Sequence, residues 1–567
     1  MKKFFLIFIM LLVTFNVFPS GQRSAESAAG SGSIPEYINL DGYLPVVKQG
    51  TNISMTFSWL PDNTWTLHSD PSQIWWFEFV KKAMNINLVV TARAQGPETK
   101  NLMFASGDLP DIWMDGLNTY DIVNYGMGEK LIMPITDYIN PKLMPLLNGI
   151  YNDDPGLKGP STAPDGNMYG FPNLRGKEQL IGPITGGLAR SFFNKKMLDQ
   201  VGLQVPQTLD QYLEVLRAFK KLDANILPDT GIFNGQNNFC LVYSALGFHW
   251  TNFNSTNPSS MTFVGTRNGE ITFIYGDKQI FPKFVETYAT MYREGLISPD
   301  FFTMNTSAQT AITMEGRGGT LYGGLTPFVG PELTYDYVSA KPLTSEFNNT
   351  LFWVGPNNLV MPNVAVLTSK NKYPEAAARM FDYGYDPSNY VLISEGFPDK
   401  MPDFLYGMGN GWTIKNNVLQ QLIDNTQLYP DQSYYVINRI RPSNNPPGLF
   451  MNRDSYAMKL YGLIPPKDEF NLSLPDHWAR SETYNNLSLY SVTEFPFTVY
   501  WEDAISRRLN DLSTVINDYV AIQFAQFVTG ARPLSDLPKY FDELDKLNYQ
   551  EYLKYYSDYY AKVRTDR

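Results

Sequence analysis

The groups in this chain with chemistry to offer are three histidines, one cysteine, many carboxylates and an abundance of aromatic rings. His68, His249 and His477 stand too far apart in sequence to form a recognisable metal or triad motif, and Cys240 has no basic partner nearby. No Cys-x-x-Cys, His-Glu-x-x-His or Gly-x-Ser-x-Gly occurs. Gly316-Arg317-Gly318-Gly319 lacks the Lys-Ser/Thr that would complete a phosphate loop. We therefore expect no catalytic residues, no metal and no cofactor, although scattered carboxylates leave a glycosidase-like pair open. What the chain offers most is ring surface: 36 Tyr, 36 Phe and 10 Trp. A flat aromatic face suits the apolar face of a sugar ring, and it equally fills a core.

Charge narrows the partners. The formal net charge is -11, and no basic stripe or cluster occurs, so nucleic acid and anionic membrane surfaces are not expected partners. Lys2 and Lys3, the apolar run Phe4 to Phe18 and the polar stretch Ser20 to Ser33 read as a secretion signal too short to span a bilayer. The mature chain is expected to begin between Ser20 and Gly32. Cys240, being alone, can form no intramolecular disulfide, and it lies far from the signal, where a lipid anchor would need a thiol. We read it as a small buried hydrophobe.

The elements that must position any site follow from periodicity. Ile53, Met55, Phe57 and Trp59 alternate with polar residues, which predicts a strand ending before Pro61-Asp62-Asn63. A helix over Ile74 to Met84, a strand over Asn85 to Thr91, a helix before Gly107 and a short run from Asp111 to Met114 complete a βαβ rhythm, the signature of a parallel sheet. A second rhythm begins at Ser191-Phe192-Phe193 and continues into a helix over Pro206 to Lys221. There Thr208 and Gln211 fit a capping box, and Leu209, Tyr212, Leu213, Leu216 and Phe219 recur at helical spacing. Val364 to Leu367 reads as a short strand, followed by a helix from Pro374. A long helix is predicted from about Glu502 to Thr529, ending at Gly530, and two Tyr-rich helical segments from Leu537 to Val563.

Six segments stand in order along the chain: Ser106-Gly107-Asp108-Leu109-Pro110-Asp111-Ile112, Gly166 to Pro172, Phe193 to Leu198 with Pro206-Gln207-Thr208, Tyr292 to Pro299, Tyr373 to Ala377, and Gly530 to Leu534. Together they resemble the extracellular solute-binding protein family 1, in its long, lipoprotein-type carbohydrate branch. The resemblance implies an α/β, two-lobed periplasmic-binding-protein fold, type II-like, with a hinge and a ligand cleft between lobes. It also implies a carbohydrate ligand, permease subunits of an ABC transporter as partners, and no enzyme activity. We expect a monomer. The missing lipobox cysteine departs from the branch and favours a freely soluble periplasmic protein. The expected lobes are residues 33–187 with about 337–400, and residues 188–336 with about 401–567. Chain crossings are expected at Leu188 to Phe193 and between Tyr337 and Val364. Rival readings are a secreted glycoside-active enzyme and a sugar-sensing partner of a membrane receptor.

Candidate ligand contacts are each open to a structural alternative. Trp59, at the end of the first strand, either stacks on ligand or caps the sheet. Trp113 and Asp115 follow a segment where related proteins face the sugar; Asp115 can accept two hydroxyl hydrogen bonds or can cap a helix beginning near Gly116. Arg175 can fork onto hydroxyls or a carboxylate, or stand on the surface. Trp250 is a further candidate, beside a His249 read as structural. Tyr322 matches where relatives place an aromatic, and Trp412, in Asn410-Gly411-Trp412, is predicted in a loop.

Overall fold

The computed structural model describes residues 34–60, 70–94, 97–175, 190–235, 237–250, 264–354, 360–398, 410–415, 418–423, 427–428, 435–443, 446–450, 475–492 and 499–565. The predicted signal segment and its cleavage site lie outside the described residues.

The first sheet starts from the predicted alternation. In strand β1 (Ser54–Trp59), Met55 and Phe57 are buried while Ser54 and Thr56 face outward. Helix α1 (Trp75–Ala83) covers it with Trp75, Trp76, Phe79, Val80 and Ala83 and closes on Lys81 and Lys82, favourable against the helix dipole. Trp75 stacks on Phe79 at 5.0 Å and meets Phe397 edge-on at 4.3 Å. Burying each such ring contributes about 1.5–3 kcal/mol. Strand β2 (Asn87–Ala92), helix α2 (Pro97–Ser106) and strand β3 (Ile112–Met114) follow. The six-stranded order is Gly448–Phe450, β4 (Gly170–Arg175), Val360–Leu367, β3, β1, β2. Five strands run one way; Val360–Leu367 is antiparallel to both neighbours, so the expected parallel sheet is mixed.

That reversed strand is longer than predicted because it passes through a bulge. Asn363 adopts φ 58° where the register against β4 shifts between Met361 and Ala365. Gly170 faces it, and a Cβ there would lie 2.5 Å from the Asn363 Cα. Strand Gly448–Phe450 joins this sheet beside β4, although residues 401–567 were assigned to the second lobe. Its partner's fixed position explains the difference: Gly448 pairs with Asn173, whose amide donates to the Tyr390 hydroxyl and the Pro446 carbonyl.

A second core gathers around β5 (Ser191–Asn194), which pairs antiparallel with Thr320–Tyr322 and Tyr337–Ser339. Tyr337 thus belongs beside β5 rather than with the first sheet. Helix Leu209–Leu222 carries the predicted apolar face. Thr208 caps it by accepting from the Gln211 amide at 3.2 Å, while the Gln211 side chain accepts from Gln207, one residue before the capping-box position. The 27-residue helix Asp503–Thr529 runs through this core and ends at left-handed Gly530. Its Phe524 stacks on Phe233 at 5.7 Å and Phe284 at 5.4 Å. Cys240 is fully buried 3.4 Å from the Ser191 hydroxyl, and burial pushes its thiol up to about 12.

Candidate functional site

The directions of the first sheet decide where a ligand can be met. The carboxyl ends of β1, β2, β3, β4 and Gly448–Phe450 all lie on one edge, together with the amino end of Val360–Leu367. Carboxyl edges of such sheets are where ligands of open α/β folds bind. Arg175 and Phe450 are the last residues of two of these strands. The second sheet presents the matching edge. Ser191 pairs with Tyr322, Gly323 donates to the Arg190 carbonyl at 2.8 Å, and Ala340 donates to Ser191 at 2.7 Å. A short parallel pair joins Trp353–Val354 to Ser491–Val492.

Three predicted residues meet on the first edge. Trp59 ends β1, 2% exposed, with Phe77 edge-on at 6.1 Å. Trp113 is buried and sends its indole N–H to the Asp115 carbonyl at 2.8 Å. Asp115 follows β3 at φ 57°, with left-handed Gly116 next, and its amide donates to Val364 at 2.8 Å. Asp115 is not a helix cap: the following helix begins at Thr119, and Asn118 caps it in a reciprocal box with Asp121. Lys100 holds that Asp121 at 2.7 Å. Arg175 ends β4, two strands from β3, with its guanidinium 5.5 Å from the Phe450 ring. Tyr322 ends its strand on the second edge, 6% exposed, its hydroxyl pushed well up by burial.

Arg93, Asn363 and Tyr500 carry the rest of this edge, and the sequence reading missed all three. Arg93 stands one residue beyond β2, its guanidinium 4.3 Å from the Trp113 ring, and burial lowers it to about 10. Its position just past an apolar strand was the available signal. Asn363 donates to the Tyr500 hydroxyl at 2.9 Å. Tyr500 packs against the Phe104, Trp113 and Tyr169 cluster of the first sheet, while its neighbour Trp501 sits 5.3 Å from Tyr556 and 5.3 Å from Tyr559 in the second core.

No protein-family model matches the chain. The fructooligosaccharide ABC transporter substrate-binding protein FusA of Streptococcus pneumoniae is 24% identical over 488 residues, 82% of this chain and 83% of that protein. The solved structure of FusA with kestose superposes with TM-score 0.72 at 21% identity, covering 91% of this chain and 100% of that one. An HMO-binding, ABC-transporter-associated solute-binding protein of Bifidobacterium longum infantis gives TM-score 0.68 at 18% identity over 90% of this chain and 98% of its own. The homologues are ABC-transporter substrate-binding proteins. The fold is the α/β, two-lobed solute-binding-protein fold.

Within the solute-binding-protein fold, the structure does not bring Trp250 and Trp412 to the edge with the others. Trp250 lies in the second core, 5.4 Å from Trp353 and 5.7 Å from Tyr243. Beside it His249 stacks on Phe352 at 3.5 Å, a structural histidine. Trp412 is in strand Asn410–Lys415, not a loop, and is fully buried with its indole N–H 3.3 Å from the Gly396 carbonyl. Asn410-Gly411 reads as a turn, but Gly411 is there for space: a Cβ would sit 2.3 Å from the Glu395 carbonyl. The Ser106 to Ile112 motif stands at the opposite, amino edge. Asp111 accepts from both the amide and the hydroxyl of Thr56 at 2.7 Å, which ties β3 to β1. Among the described residues no group of three or more His, Cys, Asp or Glu could hold a metal, and no helix is long and apolar enough to cross a membrane.

Proposed function

We propose that this chain is the extracytoplasmic solute-binding protein of an ABC importer, which captures a carbohydrate between two lobes and hands it to the permease. The observation that carries the reading is the shared edge: five strand ends, with Trp59, Asp115 and Arg175 at them, lie on one side of the first sheet, the carboxyl edge where ligands of open α/β sheets bind. Homologues named for carbohydrate capture support the ligand class. One lobe would comprise the first sheet with its helices, the other the second core. Trp59, Asp115, Arg175 and Tyr322 are the proposed contacts, and Trp113 supports Asp115 from beneath. Affinity would come from ring stacking and hydroxyl hydrogen bonds in a site desolvated by closure. Export through the N-terminal signal, a monomeric state and binding without hydrolysis belong to the same proposal.

Melting curves against a panel of neutral and acidic oligosaccharides, kestose included, test it. A glycan at a hundred times its dissociation constant is expected to add about 2.7 kcal/mol of stability. No stabilising glycan in the panel would count against capture, and reducing ends released over hours from a stabilising glycan would favour the enzyme.

A further inference from the structure

The turn that presents Asp115 is held from outside its own strand. The Arg93 Nη2 donates to the Met114 carbonyl at 2.6 Å and to the Asp115 carbonyl at 2.6 Å, while the same guanidinium lies over the Trp113 ring. The backbone amide of Arg93 is itself fixed, donating to the Trp59 carbonyl at 2.9 Å. Asp115 and Gly116 are consecutive positive-φ residues, a conformation glycine adopts freely and aspartate tolerates better than most side chains. Gly116 leaves the guanidinium room; a Cβ there would lie 3.3 Å from Nη2. Three carboxyl ends, of β1, β2 and β3, are thereby joined through one residue, its amide to β1 and its side chain to the end of β3.

We propose that Arg93 is the positioning residue of the ligand site, fixing the Met114–Asp115–Gly116 turn so that the Asp115 carboxylate is aimed before the sugar arrives. The inference rests on the reading that Asp115 contacts the carbohydrate. Nη2 gives both of its N–H bonds to adjacent carbonyls while the flat guanidinium lies over the Trp113 ring, and it is this planar stacking together with the two bonds that a lysine ammonium does not reproduce. Holding an acceptor in place beforehand spares the complex the ordering cost of a loose turn.

The test compares the unmutated protein, Arg93→Met, Asp115→Ala and the double variant; methionine keeps much of the buried volume. Amide exchange needs no sugar. Arg93→Met is expected to speed exchange of the Asp115 amide, which donates to the Val364 carbonyl, at least tenfold while β1 and β2 keep their protection, and unchanged exchange there would overturn the proposal. Titration with kestose supplies the second readout. Arg93→Met is expected to weaken binding at least tenfold when Asp115 is present and less than twofold in the Asp115→Ala background. Equal loss in both backgrounds would make Arg93 a general scaffold residue and overturn the inference. If Asp115→Ala alone leaves kestose binding intact, it is the reading of Asp115 that fails. If kestose gives no heat with any of the four proteins, the exchange result decides.

Discussion

Replacing Asp115 separates three roles that one carboxylate could play. Asp115→Asn keeps a side chain that tolerates φ 57° and removes the charge. A hydrogen bond to a charged acceptor contributes about 1.5–3 kcal/mol, and 1.4 kcal/mol is tenfold in affinity. Asparagine still accepts as a neutral group, so Asp115→Asn is expected to lose the difference, about 1 kcal/mol or roughly fivefold in affinity, with its denaturation midpoint unchanged. Asp115→Ala should weaken binding at least about tenfold and, in addition, lose about 1 kcal/mol of stability, because alanine is disfavoured in the left-handed region. Asn118→Ala is the control: it removes the true cap, which costs about 1 kcal/mol of stability and leaves affinity alone. Titration calorimetry and urea unfolding of the three variants read both quantities. Asp115→Asn binding within twofold of the parent would refute the assignment of the carboxylate to the ligand.

Cys240 should resist thiol reagents at pH 8 until the chain is unfolded, since burial pushes the thiol up to about 12; stoichiometric labelling of the native protein within minutes would contradict its place in the core. Asp229 is fully buried, accepting from Tyr212, the Gly231 amide and Asn238, and burial is the largest influence, raising its pKa. With the folded value above the unfolded one, its protonated form stabilises the fold at low pH. That contribution is lost as pH rises from the ordinary aspartate range toward the folded value. Asp229→Asn should lack this slope, and a stability difference between the two proteins that stays flat with pH would be the contrary result. Gly170→Ala places a Cβ against the Asn363 backbone and should lose about 1–3 kcal/mol in urea unfolding, with an unchanged midpoint counting against the close approach.

Where local periodicity and packing agree, the sequence was enough. The β1 alternation, the apolar face of Leu209–Leu222 and the Gly530 stop each depend on neighbours within a few residues. Long-range pairing was hidden. Nothing near Val364 indicates that its strand runs against β3 and β4, and Pro362-Asn363 reads as a break where the structure has a bulge. The site followed the same division. The place of Asp115 just past a strand end was legible because a recognisable motif precedes it. Arg93 was not, since its role appears only when β2 and β3 are set around β1. Trp412 misled because a glycine needed for close backbone approach looks, in sequence, like a glycine needed for a turn.

Capture between lobes is tested most directly by small-angle scattering of the purified protein, with and without a saturating glycan chosen from the melting panel. Closure of two lobes on a ligand held at their facing edges predicts a smaller radius of gyration in the bound state. An unchanged radius at saturation would contradict it and assign the sugar to a rigid pocket on one sheet.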